Sequence, residues 1–291
     1  MALPVLYTRH FNSAQRGALG APAAIWPDHP VRFATATQRI VSAIDNVLVL
    51  FFTPFMPTRH LFDRRAELDQ LRRRLTARFG PIRDTRRDNP TGQFIHAFIG
   101  SRTRDEVSSR VYQRLLQSCG GRWEEIIETP ATELAAILAE VTFADQKAPN
   151  LKTALRNIRA RAGAVDLEFL ADLEVEPALF WLEQIHGVGR KIAATTLNFS
   201  SLRMRCFVVD THVWRVLRRF GLVGEQAEAE DVYDAVMEMA DDLNADDLYE
   251  LHWQLKTLGQ TGCRHAQCVC TSCCLSELCM KRIEPGAKGA A

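Results

Sequence analysis

Residues 182–197, Leu182-Glu-Gln-Ile-His186-Gly187-Val188-Gly189-Arg190-Lys191-Ile-Ala-Ala-Thr-Thr-Leu197, place two glycines and a lysine around one short turn. The pattern predicts a helix, a turn over His186 to Gly189, and a second helix with Lys191 in its first turn. Pro177 suits the first position of the leading helix, where a missing N–H costs nothing. Gly187 and Gly189 permit positive φ and leave no side chain between backbone and partner. Amides at the start of the second helix then form an anion site suited to a phosphate diester. An ordinary helical hairpin has the same local signature, so the stretch does not decide its own use. Lys191 adds chemistry. A lysine in water is protonated up to about 10.4, but a helix dipole and desolvation both lower that value toward a free, nucleophilic amine.

Nineteen residues further on, Phe207-Val-Val-Asp210-Thr-His-Val-Trp-Arg-Val216 delivers a carboxylate directly into a helix. Asp210 is most simply an N-cap, and a cap can also serve chemistry. The separation allows one helix and a return segment, so Asp210 and Lys191 can face each other. A neutral amine can attack an electrophilic carbon, while a carboxylate holds the amine, moves its proton and stabilises positive charge that develops.

A third group is Cys263-x6-Cys270-x2-Cys273-x5-Cys279, with Cys268 and Cys274 beside it. Six of eight cysteines crowd into residues 263–279, which speaks for metal ligation in a reducing compartment rather than a disulfide framework. Four thiolates suit zinc or a [4Fe–4S] cluster equally, and Cys268 or Cys274 could replace a neighbouring ligand.

The elements that must position these residues read as helices. Leu68, Leu71, Leu75 and Phe79 share one face of a helix over 64–79, stopped by Gly80-Pro81. A polar linker to Pro90 precedes a short buried helix at Phe94 to Gly100. Thr103-Arg-Asp-Glu106 has the form of a capping box for a helix carrying Val107, Val111 and Leu115. Thr129-Pro130 opens another, Leu151, Leu155 and Ile158 mark the next, and Thr211 to Phe220 is closed by Gly221. Asp231 to Met239 is amphipathic, an acidic turn spans 241–247, and Leu248, Leu251, Leu255 and Leu258 mark a last helix before Gly259. Alternation of period two is absent beyond Val47 to Phe52, so the fold class is all-α. Residues 1–37 show no sustained periodicity and no assigned role.

A hydrophobic share of 47% with 24% charged residues is that of a globular chain, which argues against a disordered one. Net charge is +1, yet residues 1–120 hold 18 arginines and no lysine against 9 acids. Such a half suits oxyanions. The apolar run at 47–56 is far short of the ~20 residues a membrane helix needs, and no signal peptide is expected at the start.

Gly187-Val-Gly-Arg-Lys191, Val209-Asp210-Thr-His-Val-Trp-Arg-Val216 and the 6-2-5 cysteine spacing, in that order, resemble the endonuclease III family. Those enzymes are helix-hairpin-helix DNA glycosylases with an iron–sulfur cluster, and the resemblance spans roughly residues 66–282. It implies two helical domains flanking a DNA-binding cleft: a six-helix domain at 94–214, and a cluster domain from 66–93 plus 215–291, after an extension at 1–65. It implies a [4Fe–4S] cluster on Cys263, Cys270, Cys273 and Cys279, catalysis by Lys191 and Asp210, and DNA contacts from Gly187, Val188, Gly189, Arg190 and Arg264. Arg102 stands where the family commonly has a glutamine that fills the gap left by an expelled base. The expected partner is duplex DNA with damaged bases or abasic sites. The expected state is a cytoplasmic, nucleoid-associated monomer, with no membrane and no obligate protein partner.

The implied activity is that of a bifunctional glycosylase and abasic-site lyase acting on damaged, oxidised pyrimidines. A monofunctional glycosylase for adenine or mismatched thymine or uracil is the nearest alternative. A non-catalytic DNA-binding module is a third.

Overall fold

Eleven α-helices among the described residues carry the chain, in a computed structural model that describes residues 61–83, 87–283 and 288–290. The unassigned extension at 1–37 and the apolar run at 47–52 lie outside the described residues. Helix α1 (Leu61–Phe79) begins three residues before the expected start, so residues 61–65 belong to it rather than to the extension. It buries Leu68, Leu71 and Leu75 at three- and four-residue spacing, while its arginines pair with later segments, Arg65 with Asp241 (2.6 Å) and Arg74 with Glu277 (2.6 Å).

Two sets of helices pack among themselves. In the first, α2 (Pro90–Gly100) lies against α3 (Asp105–Ser118), α6 (Ala144–Ala162) and α8 (Arg190–Phe199); α6 also meets α4 (Glu124–Glu128) and α5 (Ala131–Ile137), and α7 (Val175–Glu183) pairs with α8. A 3-10 turn at Glu168–Asp172 links α6 to α7. In the second, α9 (Thr211–Phe220) packs on α10 (Ala229–Met239) and α11 (Ala245–Thr261), and α1 covers α10 and α11. Helix α11 also touches α8, and one apolar core is continuous through both sets. The first set therefore holds seven helices, not six. Its limits run from Pro90, which follows the Asn89 cap, to Asp210, which caps α9, rather than from 94 to 214.

Three local expectations fail for physical reasons. Thr103 does not cap α3. Its hydroxyl instead accepts from the Thr142 amide (3.1 Å) and from Lys147 Nζ (3.2 Å), and Arg104 is the uncapped first position. Pro177 stands third in α7, not first, where its missing N–H would still have had no helical partner. Gly259 does not end α11, which runs on to Thr261 from a capping box of Asn244 and Asp247. A Cβ at Gly259 would lie 2.8 Å from His212 Cβ, so the glycine is there to let α9 and α11 touch. A short parallel pair, β1 (Gln267–Val269) with β2 (Lys288–Ala290), follows the last helix and was not foreseen.

Replacing Gly259 with alanine is expected to cost about 1–3 kcal/mol, the usual range for overpacking. It should read as a lower denaturation midpoint at unchanged slope.

Candidate functional site

The hairpin is built from the end of α7, the turn and the start of α8. Gly187 adopts φ +79°, open to glycine but strained for other residues, and sits where a Cβ would meet the Phe98 ring at 3.4 Å. Val188 is buried and anchors the turn in the core, so its side chain faces away from any ligand. A Cβ on Gly189 would meet nothing, which leaves the backbone there open to close approach. Gly189 caps α8, and its carbonyl accepts from the amides of Ile192 (3.0 Å) and Ala193 (3.1 Å). The amides just before them point out of the helix start, as in any helix. The guanidinium of Arg190 is paired with Glu183 and lies over the Tyr233 ring (5.1 Å). Arg102, at φ +56°, and Arg264 are both exposed.

Lys191 follows, half-buried, and lines a pocket with Ser101, Gly189, Val209 and Tyr233. Among the described residues no hydrogen bond to its amine is found. Desolvation, aided by the charge of Lys256, holds the amine below the ordinary lysine value; Asp210 and Asp105 oppose the shift. Asp210 uses one oxygen as a cap: Oδ1 accepts from the amides of His212 (2.8 Å) and Val213 (2.9 Å). Its Oδ2 is left for the site. Burial alone would raise its pKa, but His252, the Val213 amide and Lys256 together hold it below the carboxylate norm.

The sequence reading missed the surroundings. Lys256 on α11 lies 2.6 Å from Asp105 Oδ1 and 3.9 Å from Asp210 Oδ2. His252, one turn earlier, is buried and donates from Nδ1 to Val208 O (2.8 Å), behind the segment that delivers Asp210. Lys147 donates to Ile99 O (2.7 Å) and Ser101 O (2.6 Å), pinning the α2–α3 turn that carries Arg102. Burial first, then the charges of Lys191 and Arg102, pushes Lys147 down to about 8. The available signal was four-residue spacing: His252 and Lys256 share a face of α11 that was read only for its leucines.

Cys263, Cys270, Cys273 and Cys279 all line one concavity, and Cys274 does not. Cys268 also lines it, but is buried and receives Arg219 Nη1 at 2.9 Å. Arg219 further holds the carbonyls of Arg264 (2.6 Å) and His265 (3.1 Å), so α9 shapes the loop. Among the described residues no three thiols stand close enough to share a single metal ion. The four thiols line one concavity, and four thiolates are a donor set that a [4Fe–4S] cluster accepts.

Comparison with known proteins bears on this arrangement. Residues 95–241 match the family described as HhH-GPD superfamily base excision DNA repair protein. The chain is similar to DEMETER-like protein 2 of Arabidopsis thaliana, 26% identical over 171 residues, covering 54% of this chain and 13% of that one. It is also similar to endonuclease III of Sulfolobus acidocaldarius, 27% identical over 114 residues, covering 39% of this chain and 49% of that one. The chain thus spans less than half of either relative. Its fold is that of a trapped endonuclease III–DNA covalent intermediate, with a TM-score of 0.63 at 20% identity over 75% of this chain and 96% of the other.

Burial, opposed mainly by Asp210, pushes His252 down to about 4. Between that value and the ordinary 6.5, the unfolded chain takes up a proton that the folded one refuses. The stability this contributes is complete above pH 6.5 and is lost as pH falls toward 4. The ring protons of His252 should therefore show no titration in NMR spectra until pH approaches 4. A midpoint near 6.5 would contradict the burial.

Proposed function

The chain belongs to the HhH-GPD superfamily of base excision DNA repair proteins, and from that membership we propose that it is a bifunctional DNA glycosylase and abasic-site lyase acting on damaged pyrimidines in duplex DNA. The observation that carries this reading is Lys191 in the first turn of α8, lining a pocket and without a hydrogen-bond partner for its amine, with Asp210 as the cap of α9.

The open backbone at Gly189 and the amides that follow it suit a DNA phosphate at the positive end of the α8 dipole. The target nucleotide leaves the stack, since its anomeric carbon is out of reach of a side chain while the base stays paired within the duplex. The neutral Lys191 amine attacks the anomeric carbon, and the base departs with the glycosidic electron pair. Asp210 Oδ2 takes the proton released by the amine and stabilises positive charge on the sugar, while Oδ1 stays fixed by its two cap bonds. Opening of the sugar ring leaves a Schiff base between Lys191 and the anomeric carbon. Loss of the adjacent carbon-bound proton then expels the 3′ phosphate and cleaves the strand.

Cys263, Cys270, Cys273 and Cys279 would hold a [4Fe–4S] cluster, with Arg219 bracing the loop between the first two. When bound, such a group cross-links the four thiolates and fixes the loop that presents Arg264, with no part in the bond changes.

Borohydride added to the protein with abasic-site duplex should trap a covalent adduct. Lys191→Ala should abolish it, and Asp210→Asn should slow its formation by about 10²–10⁴-fold, the usual worth of a general base. An undiminished adduct in Lys191→Ala would refute the mechanism. Purified protein should be brown and contain iron, and Cys270→Ser should lose both colour and stability. Stoichiometric zinc in colourless, folded protein would refute the cluster.

A further inference from the structure

Lys256 introduces a second ammonium into the site, and the chemistry above makes no use of it. Its side chain is 12% exposed, and it joins three elements: Asp105 in the first turn of α3 (2.6 Å), Asp210 ahead of α9 (3.9 Å) and its own helix α11. The face of Trp253 lies under its Nζ at 4.6 Å. Asp105 is fixed from the other side by Gln260 Nε2, which donates to Oδ2 at 3.0 Å. Desolvating an ammonium costs several kcal/mol, and the two carboxylates offset that cost. An ion pair kept only for cohesion would need Asp105 alone. Here the ammonium also approaches Asp210 Oδ2, the oxygen that capping leaves free.

We propose that Lys256 is a positioning residue for the lysine chemistry: its ammonium, anchored on Asp105, holds Asp210 Oδ2 so that this oxygen is shared rather than given wholly to Lys191. This rests on the lyase reading for its purpose but not for its electrostatics. Without Lys256, Lys191 faces two carboxylates with no competing cation, and Asp210 is free to pair with it. A paired, protonated amine is no nucleophile. With Lys256 present, Asp105 is occupied, Asp210 is shared, and the like charge makes protonation of Lys191 less favourable.

The other groups around the pair do not supply this role. Lys147 on α6 also bears a like charge, but it is spent on the α2–α3 turn through Ile99 O and Ser101 O. His96 on α2 is paired with Ser108 Oγ (3.1 Å), and burial, then Lys191, lowers its pKa, so it carries no fixed charge at neutral pH. His252 on α11 is held neutral by burial. His212 accepts from Arg215 Nη2 at 3.1 Å, and Arg102 is exposed in its turn.

The test is the titration midpoint of Lys191, read by pH-dependent labelling of the lysines with acetic anhydride and peptide mass spectrometry, on the full chain without DNA. Lys256→Met and Lys256→Gln should raise the midpoint, so that Lys191 labels about tenfold more slowly on the acidic side for each unit of rise. Lys256→Arg should restore the wild-type midpoint. Unchanged labelling of Lys152, buried with its amine donating to the Thr129 carbonyl, marks a variant that has folded. A midpoint that stays fixed or falls in folded Lys256→Met overturns the proposal. The borohydride adduct, followed across pH in the same variants, separates the two readings. An acidic limb that moves up with the midpoint supports both. A raised midpoint in a protein that forms no adduct supports the electrostatic role and removes the lyase reading.

Discussion

Keeping one partly desolvated amine neutral near two carboxylates is the constraint on which the site depends. Water would protonate Lys191, and a single carboxylate at full contact would do the same. The fold meets both demands through burial and through Lys256, which draws on Asp105 at 2.6 Å and on Asp210 at 3.9 Å. The lowered pKa of Lys191 follows from desolvation first and from that neighbouring charge second. No hydrogen bond to the amine is needed, and one would hold it in place against attack.

Helix starts do much of the positioning. Asp105 stands in the first turn of α3, Lys191 in the first turn of α8, and Asp210 caps α9. Each start carries partial positive charge from unpaired amides, which favours anions and disfavours ammonium groups. The same ends that would receive a DNA phosphate therefore also discourage protonation of Lys191. Behind them, Gly259 lets α9 and α11 close together, and Arg215 Nη2 binds the Gly259 carbonyl at 2.9 Å. One turn further along α9, Arg219 reaches the cysteine loop, so the segment that fixes Asp210 also fixes the loop.

The helices, the hairpin, the Asp210 cap and the grouping of four cysteines were legible in the sequence because each is set by local spacing. The errors share a cause: a residue with a local meaning was claimed by a distant partner. Thr103 reads as a cap, but Lys147 and the Thr142 amide, some forty residues away, hold its hydroxyl. Gly259 reads as a helix stop, but His212 requires the space. The four-residue spacing puts Lys256 on the same face of α11 as His252, but nothing local marks that face as meeting Asp105, 151 residues earlier. Family membership, through the match at 95–241, gave the hairpin its biological setting.

The central claim is that Lys191, among the chain's lysines, is the one that joins the sugar. Peptide sequencing by tandem mass spectrometry of the borohydride-reduced adduct tests it directly. The account predicts the sugar remnant on the peptide that contains Lys191 and on no other. A remnant on Lys147, Lys256 or the terminal amine would contradict it.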